Sequence, residues 1–220
     1  LGMPFSDPMA DGPVIQQANE RALLKHVGLT HVIDSVRQFR TADANTPVVL
    51  MGYLNPIERY GFERFATAAA AAGADGMLLV DCPIEESGEY EETLARLQLR
   101  QIFLLAPTTP PERRKRIAEK ASGFLYYVSF KGITGAGHLE HASAIGALEE
   151  LRSLSAVPIA VGFGIKDAAS AATLGAHAQA IVIGSALVEC LQGATDAAEV
   201  EARVASFLPP IRDALRALPS

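Results

Sequence analysis

Two aspartates lie close together in the run PFSDPMADGP (4–13), just after the apolar stub Leu1-Gly2-Met3. Carboxylates flanked by Pro, Ala and Gly beside an apolar stretch suit the rim of a site, where Asp7 or Asp11 can take a proton from a bound N–H or O–H. The same residues also suit plain turn chemistry, since Asp before Pro or Gly is a common turn former. Calcium binding does not fit: Pro8, Met9 and Ala10 stand where alternating oxygen ligands would be needed. Asp81, before Cys82-Pro83, invites the same two readings, an acid–base group or a loop anchor.

Three glycine-bearing loops follow. GFGI (162–165) and IGSA (183–186) are small-residue turns placed to enter helices, so backbone N–H groups at a positive helix end can approach a phosphomonoester closely. KGITGAG (131–137) has the spacing G-x-x-G-x-G, not the dinucleotide fingerprint, and HLEHAS after it is not expected to enter a helix at once. A mobile lid with a hydroxyl from Thr134 fits it better, and a plain surface loop is the alternative. His26, His31, His138, His141 and His177 have no paired nucleophile in motif context and read as surface or structural groups. No metal site, P-loop or G-x-S-x-G is present in the sequence.

The elements that must position these loops repeat. Apolar runs at 46–53, 74–82, 100–107, 123–130, 157–163 and 179–185 are nearly continuous in Val, Ile, Leu or Phe, as in parallel strands buried on both faces. Between them lie helical segments at 57–73, 86–99, 110–121, 141–154 and 166–176, and two more at about 15–27 and 29–41 precede the first run. A βα unit recurring every 25 to 30 residues indicates an α/β fold with parallel strands. Six units are too few for a closed barrel, and Leu1-Gly2-Met3 reads as the end of a strand. The expected architecture is therefore a single-domain (β/α)8 TIM barrel over 1–220, with the first βα unit and most of the second strand lying upstream of residue 1. In that fold the chemistry gathers in loops at the C-terminal strand ends, with phosphate after the last two strands.

Bulk properties agree with an ordinary enzyme domain. The 220 residues (23.3 kDa) are 49% hydrophobic and 20% charged, with net charge −6. That acidity argues against a nucleic-acid surface, and RRKR (113–116) reads as a solvated helix face. No run reaches the roughly 18 apolar residues a membrane span needs. Cys82 and Cys190 lack any CxxC context and read as buried thiols of a reducing compartment, so a cytoplasmic location is expected.

LGMPFSDPMADGPVIQ (1–16), MGYLNPIERYG (51–61), LLVDCPIEES (78–87), YYVSFKGITGAG (126–137), VGFGIKDAASA (161–171) and IVIGSALVE (181–189) together resemble the tryptophan synthase alpha subunit, in order and across nearly the whole chain. The first motif is highly specific, whereas the glycine turns occur in many phosphate-binding barrels. The resemblance implies retro-aldol cleavage of indole-3-glycerol phosphate to indole and glyceraldehyde 3-phosphate, a lyase reaction of tryptophan biosynthesis. It implies no cofactor in this chain and a pyridoxal-phosphate-dependent beta subunit as partner in an alpha2-beta2 heterotetramer.

By the same resemblance Asp11 is the catalytic aspartate that accepts the indole N–H proton, and Thr134 helps position it. Tyr126 lies beside the substrate and Phe163 walls the indole ring, with Ile15, Met51, Leu78 and Leu104 as further apolar wall. Gly135, Gly164, Gly184 and Ser185 fall at phosphate-side positions, and the Asp7 segment meets the beta subunit. A second catalytic residue, a glutamate, is expected immediately before the position of Leu1, so the chain as given is expected to be impaired. Phe130-Lys131 departs from the family's more usual S-x-S-G or S-x-x-G. Two other functions compete: a sugar-phosphate isomerase or epimerase on a similar barrel, and a non-catalytic subunit that activates a beta partner.

Overall fold

The computed structural model describes residues 1–128, 137–162 and 164–218, and for 137–144 the backbone alone. The chain forms two compact units, Leu1–Phe103 and Leu104–Ser220. The first unit runs α1 (Pro13–Leu24), α2 (Leu29–Arg40), β1 (Val49–Gly52), α3 (Leu54–Tyr60), α4 (Phe62–Ala72), β2 (Gly76–Leu79) and α5 (Gly88–Arg96), ending within β3 (Arg100–Leu105). The second continues with α6 (Pro111–Lys120), β4 (Leu125–Val128), α7 (Gly137–Leu154), β5 (Ile159–Gly162), α8 (Ala168–Gly175), β6 (Ala180–Ile181), α9 (Ser185–Cys190) and α10 (Ala197–Arg216). Each apolar run expected to be a strand contains one.

In the first unit β1, β2 and β3 pair in parallel, with Met51 opposite Leu78 and Leu78 opposite Ile102. The stub Leu1–Met3 takes the neighbouring strand position beside β1, as its apolar character suggested. Met3 N–H donates to the Met51 carbonyl (2.8 Å), Met51 N–H to that of Leu1 (2.9 Å), and Gly2 bridges Met51 in parallel. The core lies between these strands and helices α2 and α4, where Val36, Leu50, Phe65, Ala66, Ala69 and Met77 are buried. Alanines at 66, 69 and 72 leave α4 slim enough to lie against α2, and Phe65 is buried with its ring edge-on to Tyr60 at 5.7 Å.

The helix expected over 57–73 is instead two. Gly61 has φ +94° and ψ 109°, outside any helical basin, so α3 stops there and α4 restarts at Phe62. The expected stop at Gly73 holds: it caps α4 in the left-handed region at φ +101°. Asp75 and Gly73 are tied back to α2 by Arg40, whose guanidinium donates to the Gly73 carbonyl (2.9 Å), the Thr46 carbonyl (2.7 Å) and the Asp75 carboxylate (2.7 Å).

In the second unit β4, β5 and β6 pair in parallel, Tyr126 opposite Ala160 and Val161 opposite Ile181. Two expectations change here. β6 is a two-residue strand with Ala180 exposed and Ile181 half-buried, not a strand covered on both faces; among the described residues it pairs with β5 alone. Helix α7 begins directly at Gly137, so the residues after the glycine loop do enter a helix at once. Helix α10 runs through Pro209-Pro210 to Arg216, its packing on α8 and the burial of Ile211 offsetting the lost N–H donors.

Local charge fixes the helix starts. Asp167 accepts from Ser170 N–H (2.8 Å) to cap α8, and Asp196 accepts from Glu199 N–H (2.9 Å) to cap α10. Glu199 in turn takes the Thr195 N–H (2.9 Å) and pairs with Arg203; the Thr195 bond foremost, and the Arg203 bond after it, hold its carboxyl down at about 2 from an ordinary 4.5. A depressed carboxyl adds stability that is fully present above its unfolded pKa and is lost as pH falls through the folded one. The melting-temperature difference between the parent and Glu199→Gln should therefore be constant above about pH 4.5 and shrink towards zero as pH falls to about 2. A difference independent of pH across that window would remove Glu199 from the acid response.

Candidate functional site

In the first unit, loops at the C-terminal ends of parallel strands carry Asp11, Tyr53 and Asp81. Tyr53 follows β1 directly, its ring 3% exposed and packed on Phe5 at a centroid distance of 5.3 Å. Its hydroxyl accepts the Ala10 N–H (3.0 Å) and donates to Asp11 Oδ2 (3.2 Å). Desolvation raises the Asp11 carboxyl above the ordinary aspartate value, and the Tyr53 hydrogen bond opposes that rise. Burial, helped by the negative Asp11 and Asp81 nearby, pushes the Tyr53 phenol up to about 12, so it stays a donor at any physiological pH. Gln16 Nε2 donates to the Asp11 carbonyl (2.7 Å), securing the loop to the first turns of α1.

The two aspartates of the opening loop are thus not equivalent. Asp11 is half-buried and faces a buried phenol. Asp7 is exposed, takes the Ser6 hydroxyl on its carboxylate, and accepts Met9 N–H on its carbonyl (2.8 Å), which is turn chemistry. Met9 beside it is 84% exposed. Asp81 acts as a loop anchor: its Oδ1 accepts Leu54 N–H (2.8 Å) at the start of α3, fixing the backbone next to Tyr53. Tyr53 is not among the candidate residues read from the sequence. A tyrosine immediately after a strand end was its one signal, because its partner lies 42 positions away.

The apolar candidates of this unit sit close by in the fold. Met51 and Leu78 are register neighbours on adjacent strands, half-buried and buried respectively, and Ile15 is half-buried in the first turn of α1. In the second unit Leu104 is half-buried near the end of β3. Tyr126 on β4 is half-buried with its phenol raised by burial, and it lies over Gly162 of β5: a Cβ there would stand 2.3 Å from the Tyr126 oxygen.

Gly164, at φ +54°, follows β5, and Gly184 with Ser185 follows β6 at the start of α9; all three are exposed. They follow adjacent parallel strands at their C-terminal ends, the position from which backbone N–H groups can meet an anion in folds of this kind. Thr134, Gly135 and Phe163 lie outside the described residues. Among the described residues no three His, Cys, Asp or Glu side chains gather as a metal site, and no helix is long and apolar enough to cross a membrane. A groove of the second unit lined by Cys190, Arg203, Phe207 and Ile211 contains none of the candidate residues.

In the first unit a half-buried carboxylate fixed by a phenol can serve proton transfer, and in the second the glycine turns after parallel strands suit a phosphate. Comparison with known proteins gives the family. The model of the tryptophan synthase alpha chain family matches residues 1–215. The tryptophan synthase alpha chain of Chromobacterium violaceum is 55% identical over 195 residues, covering 89% of this chain and 74% of that protein. That of Methylococcus capsulatus is 51% identical over 218 residues, covering 99% and 82%. Among solved structures, the tryptophan synthase subunit alpha of Legionella pneumophila str. Paris superposes with a TM-score of 0.87 at 41% identity, over 98% of this chain and 80% of that one. A chain of the Pyrococcus furiosus tryptophan synthase a2b2 complex gives 0.88 at 36% identity, over 97% and 85%. The parallel-strand α/β architecture of these TIM-barrel neighbours is the fold expected from the βα repeat. The chain belongs to the tryptophan synthase alpha chain family.

Proposed function

We propose that Asp11 is the carboxylate with which this lyase of tryptophan synthesis takes up the indole N–H proton as it cleaves indole-3-glycerol phosphate. The observation that carries the assignment is the Asp11 carboxylate itself: half-buried, and held by the Tyr53 hydroxyl at 3.2 Å. When a general acid protonates the indole carbon bearing the glycerol chain, positive charge moves to the ring nitrogen. A carboxylate at that N–H stabilises the charge and accepts the proton, giving the indolenine. A base then removes the proton of the hydroxyl on the adjacent glycerol carbon. The oxygen forms the aldehyde carbonyl of glyceraldehyde 3-phosphate, the carbon–carbon bond breaks, and its electron pair returns to the indole as the nitrogen takes its proton back from the carboxyl. A partly desolvated carboxylate stabilises the nitrogen's charge better than one in water, because the same charges attract more strongly at lower dielectric.

The remaining assignments follow the family resemblance. Ile15, Met51 and Leu78 in the first unit, and Leu104, Tyr126 and Phe163 in the second, line the substrate. Gly135, Gly164, Gly184 and Ser185 receive the phosphate through backbone N–H groups, and Thr134 supports Asp11. This chain works without a cofactor of its own. Its partner is the tryptophan synthase beta subunit in an alpha2-beta2 assembly, where pyridoxal phosphate serves the second reaction. Asp7 and the exposed Met9 lie on the surface that meets that partner, and the enzyme is cytoplasmic.

The test is indole release from indole-3-glycerol phosphate by the purified complete natural chain, alone and with the beta subunit, with no cofactor added to the first reaction. Release by the chain alone, faster with the beta subunit, is expected. Stimulation of the beta reaction without any cleavage would leave a purely activating subunit.

A further inference from the structure

We infer that Tyr53 is a positioning residue for Asp11: its hydroxyl, bonded at once to the Ala10 N–H and to the Asp11 carboxylate, holds that carboxylate in the orientation cleavage requires. The inference rests on the reading of Asp11 as proton acceptor.

A phenol has one proton to give. Because the Ala10 N–H (3.0 Å) occupies its oxygen as acceptor, the proton is available to Asp11 Oδ2 (3.2 Å). The hydroxyl therefore reads the backbone of the loop and the functional side chain it carries at the same time. Oδ2 is taken by this bond, and Oδ1 has lone pairs of its own for a substrate N–H. The phenol is itself fixed from two sides. Its buried ring rests on Phe5, and the next residue's N–H is bonded to Asp81 at 2.8 Å. Rigid support of this kind is what keeps a reacting group within a fraction of an ångström of productive geometry. The hydrogen bond also favours the charged carboxylate against its desolvation, and Asp81 is the further charged group whose field reaches the Tyr53 hydroxyl among the described residues.

Tyr53→Phe keeps the ring and removes only the hydroxyl. In the complete natural chain its kcat for indole release should fall roughly 10- to 100-fold, with KM changed about twofold or less. The acid limb of kcat/KM should move to higher pH, because a bond that lowers the Asp11 pKa is gone. Fluorotyrosine in place of Tyr53, the same shape with a stronger donor, should move that limb to lower pH. In an Asp11→Asn background the Tyr53→Phe change should cost about twofold or less, since its effect runs through the carboxylate.

Wild-type kcat with an unmoved acid limb, or an equal loss in the Asp11→Asn background, overturns the inference. If Asp11→Asn alone cleaves at the parent rate, the reading of Asp11 fails and this inference with it. If Asp11→Asn is crippled while Tyr53→Phe is unchanged, this inference alone fails.

Discussion

Asp11→Asn in the complete natural chain should release indole about 10²- to 10⁴-fold more slowly than the parent, the usual cost of losing a group that transfers a proton in the transition state. The amide has almost the same shape and can still accept from Tyr53, so the loop geometry at 3.2 Å survives while the basic oxygen does not. Stability should move the other way. Burial raises the folded Asp11 pKa, so between its unfolded and folded values the native state binds more protons than the unfolded one. Parent stability consequently falls as pH rises through that window, and above it the native state carries a partly desolvated charge that the amide lacks. At neutral pH the variant should melt at or above the parent temperature. A large loss of activity at undiminished stability identifies a group kept for chemistry; loss of both together would make Asp11 a structural loop residue.

Gly162→Val should damage both stability and catalysis through Tyr126. A Cβ at position 162 would meet the Tyr126 hydroxyl oxygen at 2.3 Å, Cε2 at 2.5 Å and Cζ at 2.8 Å, so the ring occupies the space a side chain would need. Tyr126 and Gly162 belong to paired strands, Tyr126 opposite Ala160 and Val128 opposite Gly162, so the backbone does not readily shift to make room. Overpacking of this kind costs about 1–3 kcal/mol. With Tyr126 lining the substrate as proposed, displacing its ring by an ångström can lower kcat/KM by as much as about 100-fold. Gly162→Ala should fall between the parent and Gly162→Val. Adding Tyr126→Ala to Gly162→Ala should abolish the stability cost of the glycine substitution, because the clash is with that ring. Thermal melts and indole-release kinetics on these proteins, with Tyr126→Ala alone as the reference for the double variant, check this, and a neutral Gly162→Val would refute it.

How much of this could be read from the sequence depended on whether a signal was local. The strands announced themselves as apolar runs because a parallel strand covered on both faces tolerates little else. Gly73 was legible as a helix stop, since a left-handed cap at φ +101° demands glycine there. Gly61 carries the same residue type with an equally positive φ, yet the alanine-rich periodicity running past it hid the break between α3 and α4. Position along the chain did not separate Asp7 from Asp11. Both stand in turn-forming contexts, and the difference is the phenol at position 53 that only strand pairing brings to one of them. Tyr53 was missed for the same reason, and Asp81 was readable only as one of two possibilities until its bond to Leu54 N–H settled on the anchor. Gly162 looked like part of a phosphate turn, whereas its tightest constraint is the Tyr126 ring across the sheet.

The most direct test of proton transfer to Asp11 is the rate of cleavage of an indole-3-glycerol phosphate analogue methylated on the indole nitrogen, measured in the complete natural chain beside the parent substrate. Competitive inhibition of the parent reaction would establish that the analogue binds. With no N–H to give up, the bound analogue should not be cleaved measurably, and Asp11→Asn should make no difference to it. Cleavage of the analogue at a rate near that of the parent substrate would contradict the role assigned to Asp11.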